Sequence, residues 1–313
     1  MNNLKVVFMG TPSFAVPILE GLIKNYNVIM VVCQPDRKKN RKGEVIKPDT
    51  KILAENNNIT VFQPLRIKED YQTIIDMNPD IIITCAYGQI IPTELLNYPK
   101  YGCINVHGSL LPKYRGGAPI HWAIINGEKT TGITIMTMDK KMDAGDIISQ
   151  RSIEIPEDMI LDELYNKMSY LGKELLLDTL PSIVDGTATF IKQDESLVTF
   201  GYNVTKENEK IDFGLSGINI KNKIRGLNSV PGAYCYLDNL RMKIYEVEIK
   251  ENTKYKNNKI GEIVDTTNDS IIVLCSDSLI YIKDIAIEGK KRCKVKDYFN
   301  GIKKEKLIGK VLK

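Results

Sequence analysis

Short apolar runs alternate with amphipathic stretches through the first half of the chain. Residues 4–9 form a strand-like run that breaks at Gly10-Thr11-Pro12, and residues 14–23 follow with helical spacing. Residues 28–33 read as the next strand and residues 36–47 are dense in charge. A helical segment at 50–55 leads to strand-like Val61-Phe62 and then to residues 80–85. Residues 103–106 predict a further strand, 118–125 a helix and 131–138 a strand. Such alternation, with fully apolar runs such as Ile81-Ile82-Ile83, predicts an α/β fold: a Rossmann-like, mostly parallel sheet covered by helices on both faces. Leu161, Leu164, Met168, Leu171 and Leu175 recur at steps of three and four, the stripe of a helix laid on a core, with Asp158 placed to cap it.

The pattern changes after Asp185-Gly186. Residues 187–206 are polar and aperiodic and read as a linker between a domain of residues 1–186 and a second of residues 207–313. In the second, residues 233–236, 242–247, 260–264, 271–275 and 279–282 are short strands separated by Asn, Asp, Gly and Lys turns. That spacing predicts a small β-barrel or sandwich, and a barrel of the five-stranded oligonucleotide-binding (OB) type fits the basic charge of this half. Charge sharpens the picture: residues 206–313 hold 22 Lys and Arg against 15 Asp and Glu, whereas residues 1–205 hold 21 against 24. A basic half joined to a mildly acidic one suits a protein that does chemistry in one domain and meets a polyanion with the other.

Composition adds mainly exclusions. At 43% apolar and 26% charged residues the chain is ordinary for a globular protein, which excludes a disordered or disulfide-stapled one. Six cysteines without a C-x-x-C pair, and only two histidines, argue for reduced thiols and no metal site. No apolar run approaches the ~18 residues of a membrane span, so a cytoplasmic protein with no membrane contact is expected. Nothing in the pattern demands more than a monomer.

The first strand–turn–helix invites a dinucleotide, but the turn Gly10-Thr11-Pro12-Ser13-Phe14 is not G-x-G-x-x-G, and Pro12 lacks the N–H a pyrophosphate would take. NAD is therefore disfavoured, and no P-loop pattern occurs. More informative are the residues after the strand at 103–106, where open α/β sheets place their ligands. Asn105 and His107 lie two apart, so a strand directs both to one side. An amide donor beside an imidazole can receive the oxyanion of a tetrahedral intermediate while the imidazole handles protons. Further on, Met142-Asp143-Ala144-Gly145-Asp146 supplies a carboxylate able to orient that imidazole. Each piece is weak alone: His107 could be structural, Asn105 could cap a turn, and spacing does not separate Asp143 from Asp146.

Together, Asn105-Val106-His107-Gly108-Ser109-Leu110-Leu111-Pro112 and Tyr114-Arg115-Gly116-Gly117-Ala118-Pro119-Ile120 resemble the signature of the folate-dependent formyltransferases. Residues 139–146 resemble that family's second motif, in which the aspartate before a small residue and Gly is catalytic; here that is Asp143. The segments Phe8-Met9-Gly10-Thr11-Pro12-Ser13-Phe14-Ala15, Gln34-Pro35-Asp36-Arg37, Ala86-Tyr87-Gly88-Gln89, Gly132-Ile133-Thr134-Ile135-Met136 and Glu288-Gly289-Lys290-Lys291-Arg292 extend the likeness along residues 4–310, toward members acting on initiator methionyl-tRNA. The resemblance implies 10-formyltetrahydrofolate as formyl donor, with Ser109, Leu110, Leu111 and Pro112 on its side of the pocket. It implies Asn105, His107 and Asp143 as catalytic residues, and translation initiation as the setting. It also implies an RNA-contacting loop containing Arg37, Lys38, Arg41 and Lys42, in which Arg41 matches the family and the neighbouring lysines depart from its best-known versions. A transferase acting on a nucleotide amino sugar, and an RNA-binding protein without activity, are the competing expectations. The basic second domain argues against the former and the trio Asn105, His107 and Asp143 against the latter.

Overall fold

The computed structural model describes residues 2–39 and 44–313. It divides into two compact units, one of Met1–Pro119, Thr130–Glu154 and Tyr165–Tyr202, the other of Ile120–Lys129, Ile155–Leu164 and Asn203–Lys313.

In the first unit the strands are β1 (Asn2–Gly10), β2 (Tyr26–Val32), β3 (Arg37–Lys39), β4 (Glu44–Ile46), β5 (Thr60–Phe62), β6 (Ile81–Cys85), β7 (Cys103–His107), β8 (Thr130–Thr137) and β9 (Ile147–Glu154). Seven of them form one sheet in the order β5-β2-β1-β6-β7-β8-β9, while β3 and β4 pair only with each other. Pairing is parallel from β5 to β7 and antiparallel at β8 and β9. The central strands are buried on both faces, as β6 is throughout, which is why they read as unbroken apolar runs. Edge strand β9 escapes sequence reading because its residues after Ile147 are half- or fully exposed and mostly polar, with a pattern too weak to separate from a loop. The charged stretch read as a loop has its flanks paired as β3 and β4.

Side chains alternate across β7. Val106 meets the helix Leu161–Val184 at Gly172, where an added Cβ would stand 3.1 Å from the valine methyl, so the helix lies close on that face. Cys103 belongs to the opposite face, in a cluster with Val7, Met9, Met30 and Ile82 beneath the short helices Ile67–Asp70, Gln72–Ile75 and Thr93–Leu96. Asn105 and His107 lie on that second face, at the C-terminal ends of the parallel strands.

The second unit carries β10 (Ala233–Leu237), β11 (Leu240–Glu251), β12 (Ile263–Thr266), β13 (Ile271–Leu274), β14 (Ser278–Ile287) and β15 (Cys293–Lys294). They form an antiparallel sheet in the order β10-β11-β14-β13-β12, with β15 added to β14. The last residues bridge its two edges: Lys313 exchanges both main-chain hydrogen bonds with Tyr236 of β10, and Ile263 of β12 donates to Lys310. That closure produces the expected barrel-like form around Ile244, Ile263, Val273 and Ile282. One expectation fails. Asp158 sits in a turn three residues before the helix start and accepts from Lys221 Nζ at 2.6 Å, while the first-turn N–H of Asp162 finds the Asn228 carbonyl at 3.2 Å. A main-chain acceptor has taken the place of the side-chain cap.

Candidate active site

Asn105 lies in register with Thr84 on β6 and Met136 on β8. The buried Thr84 hydroxyl donates to Asn105 Oδ1 at 2.8 Å, and the orientation of the amide follows from its other end, which faces a carboxylate that only accepts. Its Nδ2 is thereby turned outward, 3.5 Å from Asp143 Oδ1. His107, 5% exposed, places Nε2 3.0 Å from the Tyr114 carbonyl. A carbonyl only accepts, so Nε2 carries a proton and Nδ1 is the nitrogen left for chemistry. Nδ1 faces Asp143 Oδ1 at 3.6 Å.

Asp143 lies on the turn between β8 and β9 with φ +51°, a left-handed backbone unusual for a residue with a Cβ. Its two oxygens have separate tasks: Oδ2 accepts the Gly116 N–H at 2.8 Å, and Oδ1 meets the amide and the imidazole. Asp146 is joined instead through its main chain to Thr137, at 2.8 and 2.9 Å. Of the two acids that spacing left open, Asp143 is the one brought to Asn105 and His107. Gly145 admits no side chain, since a Cβ there would fall 1.9 Å from the Thr137 carbonyl oxygen. An amide donor, an imidazole nitrogen and a carboxylate thus converge on one point at the C-terminal edge of the sheet.

The segment following β7 is tightly tied. Ser109 spends its hydroxyl on the Lys113 carbonyl at 2.6 Å, and Leu111 packs with Met136 and Ile147. Thr134 and Gln150 bind the main chain of Ser109 and Leu111, leaving Leu110 and Pro112 as the partly exposed side chains of this stretch. Arg37 is placed on β3 and Lys38 follows it, with Arg41 and Lys42 outside the described residues. In the second unit, cations interleave with aromatic rings: Arg241 covers Tyr234 at 3.9 Å and Arg292 covers Tyr245 at 4.0 Å.

Sequence reasoning missed the supports. Thr84 sits inside an apolar strand and looks like core. Residues 191–201, read as linker, are sewn onto the site: Ile191 and Ile147 exchange main-chain bonds at 2.8 and 2.9 Å, Thr199 accepts from the N–H groups of Tyr114 and Arg115, and Gly201 pairs with Arg115 and Ala118. Gln193 joins Arg115 to the Asp143 turn. Polar residues without periodicity carry no local sign of such distant partners; only Arg115 and Gly116, inside the motif, could have been suspected.

A formyl transferase family model matches residues 4–180, and a model of the formyl transferase C-terminal domain matches residues 203–303. The chain is 47% identical over 311 residues to a methionyl-tRNA formyltransferase of Staphylococcus epidermidis, covering 98% of this chain and 99% of that one. It is 45% identical over 313 residues to one of Malacoplasma penetrans, covering 100% of this chain and 98% of the relative. Among solved structures, an N-formyltransferase from Helicobacter canadensis in complex with folinic acid and dTDP-3-aminofucose aligns with a TM-score of 0.66 at 20% identity, over 90% of this chain and 99% of that one. HypX from Aquifex aeolicus in complex with tetrahydrofolic acid aligns with a TM-score of 0.63 at 15% identity, over 95% of this chain and 47% of that one. At such identities these two speak for the fold alone. With more than half its length matched by the family model, the chain belongs to the formyl transferase family.

Proposed function

We propose that this protein transfers the formyl group of 10-formyltetrahydrofolate to the α-amino group of methionine esterified to initiator tRNA. The observation that carries this reading is identity of 47% along both units to a relative named for that activity. The site geometry supports a mechanism for it. The amine nitrogen forms a bond to the formyl carbon, and the carbonyl electron pair moves onto oxygen. Asn105 Nδ2–H and a protonated His107 Nδ1 are the donors for that oxyanion, with Thr84 and Tyr114 holding both in place. Asp143 Oδ1 takes the proton leaving the amine. Collapse of the intermediate breaks the bond between the formyl carbon and the folate nitrogen, which receives a proton by way of His107 and Asp143, directly or through water. The products are the formylated aminoacyl ester and tetrahydrofolate.

The folate is assigned to the wall of residues 109–112, where Leu110 and Pro112 offer apolar contact. The surplus of basic residues in 206–313, with arginines stacked on tyrosines, supports binding of an RNA backbone and its unpaired bases. Arg37, Lys38, Arg41 and Lys42 are assigned to the acceptor end of the tRNA. Such a reaction belongs in the cytoplasm, where translation begins, and one copy of the chain suffices for it. The test is transfer of labelled formyl from 10-formyltetrahydrofolate in a mixture of charged initiator methionyl-tRNA, free methionine and a nucleotide amino sugar. Label is expected on the charged tRNA alone. Label on the sugar, or formate released equally with every acceptor, would overturn the assignment.

A further inference from the structure

Gln193 lies fifty residues beyond Asp143 and yet is bonded to its turn. Nε2 donates to the carbonyls of Asp143 and Gly145, both at 2.8 Å. Oε1 accepts from Arg115 Nε at 3.0 Å and Nη2 at 2.9 Å. Arg115 is 4% exposed, and its Nη2 continues to Glu195 Oε1 at 2.8 Å. That bond holds the Glu195 carboxyl below its ordinary range. The chain of contacts therefore runs from a carboxylate through a buried guanidinium and a primary amide to the two carbonyls that bracket the turn. Only a primary amide fits the middle position. It offers two N–H donors to two carbonyls while its oxygen accepts the fork of an arginine.

We infer that Gln193 is a positioning residue for the transfer proposed above, acting through Asp143; the inference rests on that assignment. Asp143 needs such a clamp for two reasons. Its left-handed backbone is disfavoured for a residue with a Cβ, so an unheld turn relaxes toward other conformations. Its Oδ1 stands 3.5 Å from Asn105 Nδ2 and 3.6 Å from His107 Nδ1, contacts that a further shift would break. Gly116 N–H grips the carboxylate end, Gln193 grips the main-chain end, and Arg115 joins the two because it precedes Gly116 in the chain. The segment 191–201 thereby belongs to the catalytic apparatus, whatever its part in connecting the units.

Gln193→Glu tests this directly. It keeps size and an acceptor for Arg115, but replaces the nitrogen that carries both donors by one oxygen facing the Asp143 and Gly145 carbonyls. A displacement of about 1 Å at a reacting group costs up to ~10²-fold in rate, so kcat is expected to fall about 10- to 100-fold, with KM for folate and for tRNA changed less than about twofold. In an Asp143→Asn background the same substitution should cost less than about twofold, because the group it positions is already gone. A fall in kcat of equal size in both backgrounds, a raised KM with unchanged kcat, or no effect at all would overturn the inference. If Gln193→Glu fails to fold, Gln193→Met removes the donors without adding charge and enters the same cycle. If the wild-type protein formylates a different amine, the proposed acceptor is wrong, and the cycle is then read on that transfer.

Discussion

Thr84→Val replaces a buried hydroxyl by a methyl of the same shape, and it isolates what orients Asn105. In the native site Thr84 Oγ1 donates to Asn105 Oδ1 at 2.8 Å. Without that donor the buried acceptor costs ~1–3 kcal/mol in place. The amide can escape by turning over, but then its oxygen faces the Asp143 carboxylate, which stands 3.5 Å from the native nitrogen, and no N–H remains for the oxyanion. The lost hydrogen bond is worth ~1 kcal/mol, about a fivefold change in how much of the amide stays anchored at position 84 relative to rotamers that leave it. Loss of a whole oxyanion donor costs ~10²–10³ in turnover, so the effect of Thr84→Val is bounded above by that of Asn105→Ala. The expected result is a single-turnover formyl transfer rate about 5- to 50-fold below wild type at saturating substrates. It should come with a fall in melting temperature of roughly 2–12 °C, at ~2–4 °C per kcal/mol for a domain of this size. A wild-type rate in Thr84→Val, or a rate below that of Asn105→Ala, would refute the reasoning, since the hydroxyl is given no task beyond orienting the amide.

Other consequences are open to simpler measurements. Gly145→Ala must displace the Asp143 turn, because its Cβ would fall 1.9 Å from the Thr137 carbonyl; overpacking of this kind costs ~1–3 kcal/mol, and denaturant midpoint and turnover should fall together. Thiol labelling of the native protein at pH 8 should find only Cys293 fast, since burial pushes Cys33 up to about 11 and Cys103 and Cys235 up to about 12, and Cys85 and Cys275 are also buried. Denaturant should expose all six, and several fast thiols in the native state would contradict that packing. Glu195 is lowered in the folded state by its bond to Arg115, so its contribution to stability is full above its ordinary 4.5 and is lost as pH falls through the lower folded value. The stability gap between wild type and Glu195→Gln should therefore stay level from pH 8 to about 5 and close in acid; a gap that widens below pH 4 would show that the ion pair is not its source.

The architecture was legible where burial writes an unambiguous pattern. β1 and β6 carry apolar runs, Val6–Met9 and Ile81–Ile83, and the barrel strands are cut apart by turn residues, so both folds could be read from spacing. What escaped was polar and non-local. β9 lies at an edge with one face open, and an alternation as weak as Ile-Ile-Ser-Gln-Arg-Ser does not announce a strand. Asn105 and His107 were found because a strand sets their common direction, whereas Asp143 needed the turn of the chain to reach them. Thr84 was hidden by its apolar neighbours. Gln193 and Thr199 were hidden for the opposite reason, as polar residues in a stretch whose partners are about fifty or more positions away. Long-range side-chain to main-chain bonds have no period, and it is these that make a linker-like segment part of the site.

The central claim is that the imidazole at the end of β7 acts on the transferred group and not on RNA recognition. The most direct measurement is the single-turnover rate of formyl transfer to charged initiator methionyl-tRNA by His107→Ala, beside its dissociation constant for the same tRNA at fixed salt. General acid–base chemistry of this kind is worth ~10²–10⁴ in rate, so transfer should fall by at least a hundredfold while tRNA binding stays within about twofold of wild type. Transfer within tenfold of wild type, or a rate loss matched by an equal loss of tRNA affinity, would contradict it.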